Sequence, residues 1–287
     1  MKSRKYQIAG HLFEVSGERL CAAVACIDGF KPFEVSTGEC DFLFREGAFE
    51  EIPSGISVQY TFEYEDVIGS FIRTADGYRL SLKPMHEGAF EMWCCKGEKM
   101  MSMYGNWSVR LYRFALWLGF GIMTLSCDTL AIHSSCIVYR GKAVLFLGES
   151  GTGKSTHTRL WREHIPGAVL LNDDSPMIRV EDDKVWAYGS AWSGKTPCYK
   201  NERYELKACV RLSQAPFNRI DKLSVLQAYG ALHPSCAPEF AYDAGLYDEV
   251  SRIIGRVLTS VPSYHLACLP NQEAALLSCQ TIFGEDV

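Results

Sequence analysis

The chain has 287 residues with a net charge of −5, and it is 47% hydrophobic and 22% charged. That composition predicts a soluble globular protein, long enough for two domains. Its mild acidity excludes a nucleic-acid surface. The N-terminal stretch MKSRKYQIAGHLFEV carries basic residues without the apolar core of a signal peptide. No apolar run reaches the roughly 18 residues of a membrane span. The expectation is a cytoplasmic protein with no membrane segment.

Twelve cysteines are scattered along the chain, with no C-x-x-C spacing. Two H-x-x-C pairs, His133 with Cys136 and His265 with Cys268, fall in strand-like runs. Positions three apart on a strand face opposite sides, so neither pair is expected to chelate a metal. Reduced thiols are expected throughout.

Residues 1–105 read as a strand-rich N-terminal domain. YQIAGHLFEV, FEVSTGECDFLF, ISVQYTFEYE and GSFIRTADGYRLSLKP alternate or run apolar, with β-branched and aromatic residues bounded by turn signals. Asp76-Gly77 marks a hairpin. Glu46, Glu50 and Glu51 read as a solvated loop, and no catalytic constellation shows here.

Residues 106–287 form the second predicted domain. Val109, Leu111, Phe114, Leu116 and Trp117 recur at roughly helical spacing. They predict a helix of about 12 to 18 residues, capped by Asn106 or Ser108 and packed beneath the second domain. Two β-rich runs follow, Ile132 to Tyr139 and Lys142 to Leu147, joined by Arg140-Gly141 as a two-residue hairpin. In the ordinary nucleotide-binding βαβ unit the strand feeding the loop has parallel neighbours. Here it comes from an antiparallel hairpin.

The loop after that hairpin, GESGTGKST, fits G-x-x-x-x-G-K-S/T in full. Its glycines let successive N–H groups turn toward phosphate oxygens, and the following helix adds its positive end. Gly148, Glu149, Ser150, Gly151, Thr152, Gly153, Lys154, Ser155 and Thr156 are therefore the candidate ATP-binding residues. Lys154 supplies a charge for the β- and γ-phosphates, and the Ser155 hydroxyl is a candidate Mg²⁺ ligand.

About 20 residues on, Asp173 and Asp174 end the apolar run of LLNDDSP, at a strand end where α/β sheets bind ligands. One acid serves a metal, and the second takes a proton from an attacking hydroxyl. His133 is the third candidate, because the hairpin register sets it opposite Gly148 and so beside the loop. The stretch YGSAWSGKTPCYKN starts at a strand end and is rich in small residues. It reads either as a mobile cover bringing Lys195 to the phosphoryl group or as an exposed turn. Beyond it, LKACVRLSQ and SYHLACLP read as strands. LSVLQAYGALHP and YDEVSRIIGRVLTSV read as amphipathic helices, and NQEAALLSCQTIFG as a final helix between Asn271 and Gly284.

Taken together, HSS…YRGKAVLFLGESGTGKS…LLNDD resembles the catalytic domain of bacterial HPr kinase/phosphorylase and its kinase-like relatives, over roughly residues 128 to 285. ATP-dependent phosphoenolpyruvate carboxykinase shares the same fold core. The resemblance implies an α/β fold with a mixed sheet, a carboxykinase-like P-loop domain preceded by a smaller strand-rich domain. It implies that Lys154 and the loop hold the phosphates of ATP, and that Ser155 and Asp174 hold Mg²⁺. Asp173 is then the base, and His133 an active-site histidine near the phosphates. The downstream E-I/V-R-G-x-G signature of the HPr-recognising enzymes is absent. The acceptor therefore stays open: HPr, another protein, a precursor peptide or a small molecule such as serine. The function expected is an ATP- and Mg²⁺-dependent kinase acting on a hydroxyl, with a carboxykinase-type lyase and a non-catalytic ATP-binding regulator as alternatives. The resemblance admits a homo-oligomer, which no patch in the sequence specifies.

Overall fold

Alternating apolar and polar positions in the first hundred residues give each strand one face to bury, and they pair into a single sheet. A computed structural model describes residues 2–47, 56–64, 66–106, 108–194 and 196–284. Contacts within the chain divide it into two units, Met1–Leu125 with Pro238–Tyr247, and Ser126–Ala237 with Asp248–Val287. The division falls after Leu125, whereas the sequence set its boundary after residue 105.

In the first unit the strands are β1 (Ser3–Ile8), β2 (His11–Ser16), β3 (Glu34–Val35), β4 (Phe42–Glu46), β5 (Ile56–Tyr64), β6 (Val67–Thr74), β7 (Gly77–Pro84), β8 (Phe90–Cys95) and β9 (Met100–Gly105). They lie in the order β3-β1-β2-β4-β9-β8-β7-β6-β5. Pairing is antiparallel except at β2–β4 and β4–β9. A short helix, α1 (Glu18–Ala25), follows β2. The helix α2 (Val109–Thr124) buries Leu111, Ala115 and Leu118, spaced for one helical face. Its Phe120 ring lies 5.7 Å from that of Phe13 and 5.9 Å from that of Phe42. The helix thus packs on the N-terminal sheet, whose phenylalanines form the apolar surface it fits.

The second unit is built on a mixed sheet. Its strands are β10 (Thr129–Ala131), β11 (Ser134–Tyr139), β12 (Lys142–Leu147), β13 (Val169–Asp174), β14 (Met177–Glu181), β15 (Lys184–Tyr188), β16 (Arg203–Gln214), β17 (Arg219–Lys222) and β18 (Ser263–Cys268). The main path runs β10-β14-β15-β16-β12-β11-β13, with β18 pairing both β16 and β17. Arg140 and Gly141 both take positive φ, 47° and 71°, the backbone of a two-residue turn matched to strand twist. The β11–β12 register runs from Ser134↔Leu147 to Tyr139↔Lys142, as the turn dictates. On its other side β12 pairs parallel with β16. The strand feeding the loop therefore has one antiparallel and one parallel neighbour.

The helices of this unit are α3 (Lys154–His164), α4 (Val225–Leu232), α5 (Ala244–Ser260), which begins in the residues grouped with the first unit, and α6 (Gln272–Phe283). Trp161 of α3 is fully buried among Phe146, Leu160, Ile165, Leu266 and Cys279. Burying a side chain of that size contributes roughly 2–3 kcal/mol, which fixes α3, and hence the loop before it, against the sheet. Asn271 caps α6 through the Ala274 N–H. All twelve cysteines are free. Among the described residues no helix is long and apolar enough to cross a membrane.

Candidate active site

Residues 148–153 link β12 to α3, with positive φ at Gly148, Gly151 and Gly153. The first turn of α3 directs its N–H groups at the same place, which suits an anion. Lys154, the first helical residue, folds back over the loop. Its Nζ donates to Gly148 O at 2.6 Å and to Glu149 O at 3.3 Å, and it lies 3.0 Å from His133 Nε2. Burial pulls the Lys154 ammonium below its ordinary value, against the opposing fields of Asp174, Glu149 and Asp173.

His133 sits one residue before the β11 pairing begins, with its backbone N–H on Ser235 O at 2.7 Å. Its Nδ1 lies 3.3 Å from Asp174 Oδ1. An ammonium only donates, so Nε2 must accept and the ring proton resides on Nδ1, aimed at Asp174. One imidazole thereby joins a carboxylate to the loop lysine.

The two adjacent acids do different things. Asp173 is buried and accepts from Ser155 Oγ at 3.0 Å. The Asp174 side chain is 31% exposed and belongs with His133. In a regular strand consecutive side chains point to opposite faces. Asp174 also has a φ of 153°, a region that costs a non-glycine residue on the order of 1–3 kcal/mol. The resemblance assigned Ser155 and Asp174 to Mg²⁺; the carboxylate that accepts the Ser155 hydroxyl is that of Asp173.

Two residues outside the sequence reading hold the loop from β16. Arg211 Nη2 lies 2.8 Å from Glu149 Oε1, and its guanidinium keeps the Glu149 carboxyl below the usual range. Gln214 Nε2 donates to Gly151 O at 3.2 Å. Only strand order could have found them, because β16 becomes the loop's neighbour through the parallel pairing with β12. Beside the loop a cavity of about 740 Å³ opens between Thr152, Thr156, Leu160, Leu212, Pro216 and Leu269, with a lining that suits a flat, mostly apolar group.

The first residues of the stretch after β15 are packed inward rather than lying over the site. Ser190, Ala191, Trp192 and Ser193 are all buried, and Gly194 N donates to Asp173 O. Asp174 forms an isolated bridge with Ser193. The small residues that suggested mobility are small because they pack against the acid pair. Lys195 lies outside the described residues.

Neither H-x-x-C pair is joined. His265 Nε2 lies 2.8 Å from Ser213 Oγ, and His133 turns to Lys154 and Asp174. Among the described residues no group of three His, Cys, Asp or Glu side chains is placed to hold a metal ion. The oxygens of Ser155 and Asp173 form a smaller, hard pair of the type that suits Mg²⁺.

No family model matches the chain, and no curated protein does. Among solved structures, the chain is similar to the Hpr(Ser) kinase/phosphatase from Coxiella burnetii, at 14% identity over 52% of this chain and 85% of that one, with a TM-score of 0.31. At that score the likeness is too loose to bear on activity.

Proposed function

We propose that the second unit is the catalytic unit of a cytoplasmic, ATP- and Mg²⁺-dependent kinase that phosphorylates a hydroxyl. The fold we propose for it is the HPr-kinase-like, carboxykinase-type P-loop arrangement. The acceptor is a serine-bearing protein or peptide, or the free amino acid. One observation carries this reading: two carboxylates and an imidazole converge on the lysine and serine of a glycine loop at a helix N-terminus. A nucleotide-binding fold without transfer activity has no need of the second acid.

The loop N–H groups and Lys154 bind the β- and γ-phosphates, and the apolar cavity beside the loop takes the nucleoside. Ser155 and Asp173 would hold Mg²⁺, which neutralises charge on the phosphates when bound. This exchanges the roles that the sequence gave the two acids. Asp173 is buried against Ser155, whereas Asp174 is exposed enough to meet an incoming acceptor. Asp174 takes the proton from the acceptor hydroxyl as that oxygen bonds to the γ-phosphorus and the bond to the departing ADP oxygen breaks. His133 orients Asp174 and holds Lys154 in place. Lys195 remains a proposed contact to the transferred phosphoryl.

The test is a transfer assay with γ-labelled ATP and Mg²⁺ against free serine, serine peptides and HPr. Label should move to one acceptor class and fail to move with Asp174→Asn. Tight ATP binding with no label transferred to any acceptor, or to proteins of a cell lysate, would instead identify a nucleotide-binding regulator.

A further inference from the structure

Asn172 precedes the acid pair on β13 and is fully buried. A buried primary amide brings two donors and an acceptor out of water, and each must find a partner. Asn172 finds them in two places, just after β13 and in the stretch that follows β15. Its Nδ2 lies 3.0 Å from Trp192 O and 3.3 Å from Ser190 Oγ, with Cys198 O at 3.4 Å. Its Oδ1 accepts from Ser175 N at 2.9 Å. Ser190 completes the hub: its hydroxyl donates to Ser175 O at 2.6 Å and accepts from Trp192 N at 3.2 Å. Both polar groups of the Ser175 backbone are thus held by Asn172 and Ser190.

On the other side of the acids, Gly194 N donates to Asp173 O. The Ser193 hydroxyl accepts from Cys198 N at 3.1 Å and donates to Thr196 O at 2.7 Å. Asp174 is therefore clamped by its neighbours in both directions along the chain. Its positive φ of 153° is a conformation that persists only where surrounding structure over-determines it. The result aims Asp174 Oδ1 at His133 Nδ1, away from Asp173 and Ser155.

We propose that Asn172 is a positioning residue: through Ser175, Ser190 and Trp192 it holds Asp174 in the backbone conformation that joins it to His133. The segment 190–194 is a fixed wall of the site, and the acid pair is set before any ligand arrives. This rests on the proposed function only for its consequence for catalysis, since the geometry at His133 can be read without turnover.

The experiment compares Asn172→Ala and Ser190→Ala with the parent protein, after thermal unfolding has shown each to be folded. Two readouts are taken. The first is nitrogen-15 NMR of labelled histidine, with the His133 signals assigned by their loss in His133→Gln. The parent should show a neutral ring protonated at Nδ1, and Asn172→Ala a mixture of tautomers. The second is kinetic: kcat should fall at least tenfold in Asn172→Ala, while affinity for a fluorescent ATP analogue stays within twofold. Ser190→Ala should move both readouts in the same direction by less, and it decides the matter if Asn172→Ala does not fold. An unchanged His133 tautomer in a folded variant overturns the proposal. If the parent transfers no phosphate to any acceptor, the proposed function fails, while the tautomer still decides the role of Asn172.

Discussion

His133 Nε2 lies 3.0 Å from Lys154 Nζ, and these two residues are 21 positions apart in the sequence. The hairpin through Arg140 and Gly141 brings them together, because its register ends at Ser134↔Leu147 and leaves His133 level with the start of the loop. The contact requires an unprotonated Nε2. His133→Gln loses this contact to Lys154 together with the one to Asp174, and steady-state kinetics of the parent and the variant check what the two contribute. The variant should lose roughly 10²-fold in kcat.

Asp173 and Asp174 should separate by what they lose. Asp174→Asn is expected to lower kcat by about 10² to 10⁴ with little change in binding of Mn²⁺ as a probe for Mg²⁺. Asp173→Asn removes the partner of the Ser155 hydroxyl and should weaken Mn²⁺ binding at least tenfold. Electron paramagnetic resonance titration of Mn²⁺ with ATP present measures the second quantity, and steady-state kinetics the first. The opposite pattern would restore the roles assigned from the sequence.

Gly189 leaves no room for a side chain, because a Cβ there would stand 2.0 Å from the Lys200 carbonyl oxygen. Its own N–H donates to Glu202 O at 3.0 Å, so the backbones cannot part without losing that bond. Gly189→Ala should cost about 1–3 kcal/mol or more, and it should disturb the wall behind the acid pair. Urea unfolding reads the stability, and the His133 tautomer reads the disturbance.

In the first unit, Glu239 is 3% exposed and its Oε2 has no partner among the described residues. Burial pushes its carboxyl up from 4.5 to about 7. The folded state therefore holds a proton that the unfolded state releases, so stability falls as pH rises through this window. Below pH 4.5 both states are protonated, and above about 7 the loss is complete. At about 1.4 kcal/mol per unit the loss is on the order of 3 kcal/mol. Glu239→Gln should remove this slope and be the more stable form above pH 7, as urea unfolding across pH would show.

Local chemistry carried much of the second unit into view. The β11–β12 hairpin follows from the Arg140-Gly141 turn, α3 begins at Lys154 as the loop pattern implies, and Asn271 caps α6 as its side chain suggests. What stayed hidden depends on pairing between distant strands. Arg211 reaches Glu149 only because β16 lies beside β12, and nothing near Arg211 in the sequence signals that. The clamp on the acids needs residues 190–194 and 196–198 folded against β13, so their glycine and serines read as loop chemistry. In the first unit α1 was missed because eight residues built on CAAVA look the same as a buried strand by apolar content. The stripe of α2 was clear, but its partner was not, since periodicity gives a face and not what covers it.

The residues Pro238–Tyr247 count with the first unit although they lie far along the chain. Asp243 of this segment sits 2.7 Å from Arg73 Nε and 3.2 Å from the Tyr78 hydroxyl, and its carboxylate is buried. During synthesis the N-terminal sheet receives that carboxylate late. Arg73 and Tyr78 leave the ribosome long before Asp243 does, and the intervening stretch includes the whole glycine loop and both acids. Domains normally complete in the order in which they emerge, but this one gains its buried ion pair only after most of the second unit has been made. Truncation anywhere before Asp243 should therefore leave the first unit short of a buried ion pair, and a clone of residues 126–287 alone would carry a stranded piece of its neighbour.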